Sequence, residues 1–183
     1  MLPVKRLPLI VAVLLSNMAL DQWTKLIATE AFKGKPTRQY LGDTFRFTWA
    51  TNEGAFLSLG ANLPDGLRYW VLTVAVGGLL LGILYFAVMG KGLTAMPVAG
   101  YALIAAGGLS NWVDRARFDG KVVDFMNLGL GSLRTGIFNV ADLQILVGIG
   151  LVLLAGNPEK ARDKAAEAAA PGPPAGSDAV PPP

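Results

Sequence analysis

Two aspartates lie where a carboxylate is expensive, and they are the side chains best placed to do chemistry in this chain. Asp124 interrupts the apolar run Val122-Val123-Asp124-Phe125-Met126, and Asp142 lies inside a longer apolar run that opens at Ile137. A charge at the centre of a bilayer costs about 3 kcal/mol even on lenient insertion scales, so an acid embedded in such a run is a candidate functional group by default. The chain has no histidine and no cysteine. Disulfides and thiolate metal sites are thereby excluded, and any catalysis must run on carboxylates, hydroxyls or lysines.

Two carboxylates held close together cannot both ionise easily, so one keeps a proton near neutral pH. The pair then offers a base to deprotonate water and an acid to protonate a carbonyl oxygen. That is the aspartic-protease route to amide hydrolysis, which needs no metal and no covalent intermediate. Asn139 stands three residues before Asp142, on the same helical face, and can hydrogen-bond a carboxylate or a substrate carbonyl. Position alone does not separate catalysis from structural pairing. Asp21 and Lys25 are spaced for an intrahelical ion pair, Asp114 stands beside Arg115 and Arg117 as an expected structural tie, and Lys121 lies close to Asp124 in sequence. A serine–lysine dyad is the other histidine-free route. Ser58 and Ser110 are available for it, but Lys25 already has a carboxylate partner. No ligand spacing recommends a carboxylate metal site, and no cofactor is expected. From other classes, the same acids could relay protons in a small transporter or channel, or only tie helices in a scaffold. No two-halves repeat of the transporter kind is visible.

The elements that must position these residues are membrane helices. The 183 residues are 52% hydrophobic and only 16% charged, which fits one unusually apolar domain. Tyr69 to Met89 is a run of 21 residues without a charge, and Met96 to Val113 is another of 18. At about 1.5 Å per residue each can cross a hydrocarbon layer of about 30 Å, given some flanking length or local thinning. The pattern predicts an α-helical membrane protein with four spans, at about 7–27, 67–89, 96–114 and 137–156, in a domain covering 1–158. The basic start at Lys5 and Arg6 also suits a signal peptide, but Asp21-Gln22-Trp23-Thr24-Lys25 makes a poor cleavage region and three more spans follow. Between the spans lie loops at about 31–66 and 116–136, the second holding Asp124. Phe45, Phe47 and Trp49 alternate with Arg46, Thr48 and Ala50, which predicts a strand. Asn52-Glu53-Gly54 turns it into a hairpin returning through Ala55-Phe56-Leu57. Its aromatic side would rest on the headgroup boundary, on a substrate or on the end of the bundle. Ala105 to Gly108 are small residues that let helices approach closely. Residues 159–183, rich in Pro and Ala, read as a disordered cytoplasmic tail. The net charge of +3 comes without a basic stripe, so no nucleic-acid partner is expected. Charge leaves orientation open: Lys5, Arg6, Lys91, Lys160, Arg162 and Lys164 favour cytoplasmic termini, while the two long loops hold more Lys and Arg in total.

The chain resembles the prolipoprotein signal peptidases, signal peptidase II. The resemblance is carried in family order by Asp21-Gln22-Trp23-Thr24-Lys25, by Asn52-Glu53-Gly54-Ala55-Phe56 with Ser58, by Gly107 to Arg115, by Gly120 to Phe125, and by Phe138 to Asp142 with Gly148. It spans roughly residues 7 to 156. What it implies is four helices with both termini cytoplasmic, in the bacterial inner membrane, with the site at the outer face. It implies an aspartic endopeptidase that cuts diacylglyceryl-modified prolipoproteins just before the lipidated cysteine, with Asp124 and Asp142 as the catalytic dyad. Asn52, Asn111, Arg115 and Asn139 match positions that line and orient the site, and Asp21, Lys25, Gly54 and Asp114 match supporting ones. The partners implied are those precursors, membrane lipids and globomycin-type cyclic peptide inhibitors; a monomer is expected. One departure is visible: Ser110 stands where the family commonly has glycine, which adds a hydroxyl and bulk at a close helix contact.

Overall fold

The computed structural model describes residues 3–54, 64, 66–67 and 70–156. Ser58, the expected hairpin return at 55–57 and the tail from 159 onward lie outside the described residues. Helix α1 runs Pro3–Phe32. Strands β1 (Arg38–Tyr40) and β2 (Phe45–Asn52) follow. A π-helical turn, Trp70–Ala75, leads directly into α2 (Val76–Met89). Then come α3 (Ala95–Arg117), β3 (Val122–Leu130), β4 (Leu133–Arg134) and α4 (Val140–Leu154).

Among the described residues no helix is long and apolar enough to cross a membrane. Helices α2 and α4, at 14 and 15 residues, are short on their own, and the longer α1 and α3 carry buried polar groups such as Asp21, Lys25, Asn111 and Asp114. The burial pattern is reversed from that of a water-soluble bundle. Acids, amides and a lysine lie inside, while Leu15, Leu26, Leu79, Leu81, Leu146 and Leu153 are exposed on the helices' outer faces.

Helices α3 and α4 touch backbone to backbone. A Cβ on Gly148 would stand 2.6 Å from the Gly100 oxygen, and one on Gly100 would stand 2.8 Å from the Gly148 oxygen. Small residues permit this approach where there is little hydrophobic gain from burying larger ones. At one end of the bundle, Ile10, Ala87, Leu93, Val98 and Ala102 form a buried cluster. Buried Arg6 is fixed there too, donating to the carbonyl oxygens of Val88 (3.0 Å), Gly90 (2.7 Å) and Leu93 (3.3 Å). These groups at and beyond the end of α2 lack helical donors, and a cation there also opposes the helix dipole.

At the other end lies an antiparallel sheet ordered β1-β2-β3-β4. The return arm of the hairpin suggested within the first loop lies outside the described residues. Strand β2 pairs with β1 on one edge and, on the other, with β3 from the second loop, Phe47 opposite Met126 and Ala50 opposite Asp124, with a register shift between Phe47 and Ala50. Asp124 is therefore a strand residue and not a loop residue. The aromatic face packs against the bundle: Phe47 stacks on Phe32 of α1 at 5.2 Å between ring centroids and meets Phe45 edge-on. Phe125, Met126 and Phe138 join Ala28 of α1 in the cluster beneath the sheet. A single bridge, Met126 to Phe138, ties β3 to the segment that starts α4.

Candidate active site

Asn139 fixes where α4 begins, and with it the place of Asp142. The apolar run suggested a helix from Ile137, with Asp142 about a turn and a half inside. The structure starts the helix at Val140, because Asn139 caps it. The Asn139 Oδ1 accepts the Asp142 N–H at 3.1 Å, and Asp142 Oδ2 accepts the Asn139 N–H at 3.1 Å. This reciprocal capping box satisfies two otherwise orphaned donors and sets the carboxylate in the first turn, at the positive end of the helix dipole. With its oxygen committed to the cap, the Asn139 amide can only donate outward. Its Nδ2 reaches Asp124 Oδ1 at 2.6 Å, Asn111 Oδ1 at 3.1 Å and the Val123 carbonyl at 3.3 Å. One asparagine, 0% exposed, thus touches both acids, which are themselves 2% and 6% exposed.

The remaining carboxylate oxygens are met by two more amides. Asn52 Nδ2 donates to Asp124 Oδ2 at 3.0 Å, while its own oxygen accepts the Gly54 N–H at 2.9 Å. Asn111 Nδ2 donates to Asp142 Oδ1 at 3.1 Å. Burial first, and the neighbouring Asp142 charge second, push the Asp124 carboxyl up to about 7, against the opposing hydrogen bonds from Asn52 and Asn139. A buried acid with a second acid beside it holds its proton for the reasons that make such pairs useful.

Behind the two acids lies an ionic cluster. Lys25 Nζ pairs with Asp21 at 2.7 Å, as the i,i+4 spacing suggested, and also with Asp114 at 2.9 Å. Asp114 was expected to tie to Arg115 and Arg117. Neighbours on a helix point about 100° apart, and Asp114 turns inward to Lys25, to Gln22 Nε2 at 2.7 Å and to the Val123 N–H at 3.2 Å. Arg115 points elsewhere, to the Gly54 carbonyl at 2.6 Å and the Asn111 carbonyl at 3.3 Å. Burial pushes its guanidinium down, while the nearby Asp124, Asp142 and Asp114 favour its cationic form. Lys121, a candidate tie for Asp124, pairs with Glu53 at the rim at 2.9 Å. Ser110, the departure from the family pattern, donates to Asp21 at 2.7 Å, so its hydroxyl is absorbed by the ionic cluster.

All ten candidates converge on this end of the bundle, from α1, β2, α3, β3 and α4. Sequence reasoning missed Gln22, whose side chain joins Asp114 and Ser110. Its place next to Asp21, on a helix whose preceding residues 7–20 are apolar apart from Ser16 and Asn17, was the available signal. It also missed that Asp21 holds the Ala141 N–H at 2.8 Å, a long-range cap that no local pattern encodes. Among the described residues no group of three or more acids gathers as a metal site would require. Replacing Asn139 by alanine should lower the unfolding free energy by about 1–2 kcal/mol from the lost cap. A drop of a few degrees in Tm, together with a much larger fractional loss of any activity, is the expected result of thermal melts and assays on that variant.

Known proteins resemble this chain in sequence and in fold. A family model described as "Signal peptidase (SPase) II" matches residues 12–156. A lipoprotein signal peptidase from Sphingopyxis alaskensis is 43% identical over 136 residues, covering 73% of this chain and 76% of that one. Those from Trichormus variabilis and Mycobacterium leprae are 37% and 32% identical, covering 74% and 84% of this chain and 80% and 74% of theirs. Two solved structures described as a bacterial membrane enzyme obtained by the in meso method, at 2.3 and 1.9 Å resolution, share the fold with TM-scores of 0.69 and 0.67. Each is 23% identical and covers 81% of this chain, which in turn spans 87% and 92% of theirs.

Proposed function

The chain belongs to the signal peptidase II family of aspartic peptidases, and from that premise we propose that it removes signal peptides from diacylglyceryl-modified prolipoproteins. It cuts before the lipidated cysteine by activating water between Asp124 and Asp142. The observation that carries this reading is the double grip of Asn139 on both carboxylates. It holds an acid raised to about 7 beside a second carboxylate that can act as base.

The setting suits a substrate that never leaves the bilayer. Exposed leucines cover the helices while the acids, amides and lysine lie within, an arrangement unfavourable in water and favourable in lipid. We place four spans through the membrane, the second including the continuous helical run Trp70–Met89. Both termini are cytoplasmic, Arg6 locks that end, and the sheet and site lie at the outer face. There the scissile bond of a diacylated precursor meets water. A globomycin-type cyclic peptide would compete for the same pair of acids.

The test is cleavage of a purified diacylglyceryl-prolipoprotein by the protein reconstituted in lipid. Release of the signal peptide, with no cut in the unlipidated precursor, is the expected outcome; an intact lipidated precursor would sink the proposal. Since the pair works with one proton, activity should fall on the alkaline side as Asp124 loses it, around its value of about 7. Chelators and serine- or thiol-directed reagents should leave the rate unchanged.

A further inference from the structure

Resting on the two-aspartate reading above, we propose that Lys25 is a positioning residue. It fixes the direction of the Asn111 amide, so that Asp142 is the ionised base and Asp124 carries the proton.

The two acids are matched in hydrogen bonds, each oxygen of each accepting one donor. Something else must break the tie. Asn111 is an amide and could face Asp142 with either its oxygen or its nitrogen. Its oxygen is taken by the Lys25 ammonium at 2.8 Å and by Asn139 Nδ2 at 3.1 Å. An ammonium only donates, so the Asn111 nitrogen is left to donate to Asp142 Oδ1 at 3.1 Å. The run from Lys25 through Asn111 to Asp142 therefore has one direction, and it ends on an acceptor.

Lys25 cannot turn away, because its other two donors are held by Asp21 and Asp114. Those acids are in turn pinned by Ser110 and the Ala141 N–H, and by Gln22 and the Val123 N–H. The second asymmetry is positional. Asp142 sits in the first turn of α4, where the helix dipole favours an anion, whereas Asp124 lies on a strand, which has little net dipole. Among the described residues, the charged groups around the pair are Asp21 and Lys25 from α1, Asp114 and Arg115 from α3, and the mutually paired Glu53 and Lys121 at the rim; α2 contributes none.

The roles follow. Asp142 takes a proton from water as the water oxygen bonds to the scissile carbonyl carbon, and Asp124 gives its proton to the carbonyl oxygen. When the tetrahedral adduct collapses, the proton on Asp142 passes to the departing nitrogen as the C–N bond breaks, and Asp124 recovers its own.

The experiment is a pH profile of kcat/KM for the full-length protein in lipid, comparing wild type with Lys25→Met, Lys25→Arg, Asn111→Ala and the Lys25→Met/Asn111→Ala double variant. Without the ammonium, ionised Asp142 is harder to form. Lys25→Met should move the acidic limb upward by about one pH unit, a loss of about tenfold below neutrality that is regained at higher pH. Lys25→Arg should keep the wild-type midpoint, and in the Asn111→Ala background Lys25→Met should add less than about twofold. A uniform loss at all pH values with an unmoved midpoint, or fully additive effects, would overturn the proposal. If Lys25→Met does not fold, infrared spectra of wild type and Asp124→Asn at neutral pH decide the matter. The protonated-carboxyl stretch should vanish in Asp124→Asn, and its persistence would place the proton elsewhere. That measurement needs no substrate, so it remains readable even if lipidated precursors are not cut.

Discussion

Asp124→Asn and Asp142→Asn should each reduce cleavage of a lipidated precursor by at least about a thousandfold, the scale on which positioned acid–base groups act. Both variants should still fold, with Tm within a few degrees of wild type. A neutral amide is cheaper to bury than a carboxylate, and neither acid anchors the ionic cluster of Asp21, Lys25 and Asp114. The two losses should not add, because on the proposed mechanism one water is activated by the pair as a unit. A double Asn variant no slower than either single one is the outcome to look for. Activity within tenfold of wild type in either single variant, with folding intact, would remove that residue from the chemistry.

The second large effect comes from a residue with no chemistry of its own. Gly148→Ala would set a methyl group 2.6 Å from the Gly100 oxygen and 2.8 Å from an Ile104 side-chain carbon. Backbone cannot give way as a flexible side chain can, so α4 must shift away from α3. Overpacking of this kind costs about 1–3 kcal/mol. Because Asp142 stands on the same helix, the shift should also lower kcat by about tenfold or more, as ångström-scale misplacement does. Gly150→Ala is the control. Nothing lies within 4 Å of a Cβ there, so the variant should match wild type in thermal melts and in kcat.

Much of this site could be seen in the chain because its residues violate their surroundings. Asp124 and Asp142 break apolar runs, and the i,i+4 spacing of Asp21 and Lys25 is itself a contact. The helices showed as charge-free stretches, although none of the described ones crosses a membrane by length and apolarity alone. What could not be read was long-range. Val122-Val123-Asp124-Phe125-Met126 lacks alternation because β3 is buried over its first six residues, and a continuous apolar stretch does not distinguish strand from loop or helix. Its pairing with β2 joins residues 70 to 83 apart, which no local pattern encodes. The start of α4 slipped by three residues because a cap outweighed hydrophobicity, as helix boundaries commonly do. Asp114 was assigned to its sequence neighbours when its partner comes from another helix. For Asp114 the error lay in choosing the nearer residue.

The site draws on widely separated stretches of the chain: Lys25 from α1, Asn52 from β2, Asn111 from α3, Asp124 from β3, and Asn139 with Asp142 from the start of α4. No partial product of the ribosome can hold the proposed pair. A chain stalled after Leu130 has Asp124 but neither the clamp nor the partner, and its acid faces Asn52 alone. On the proposed two-aspartate mechanism the enzyme would be mute throughout its own synthesis, gaining proteolytic power only when its final helix docks.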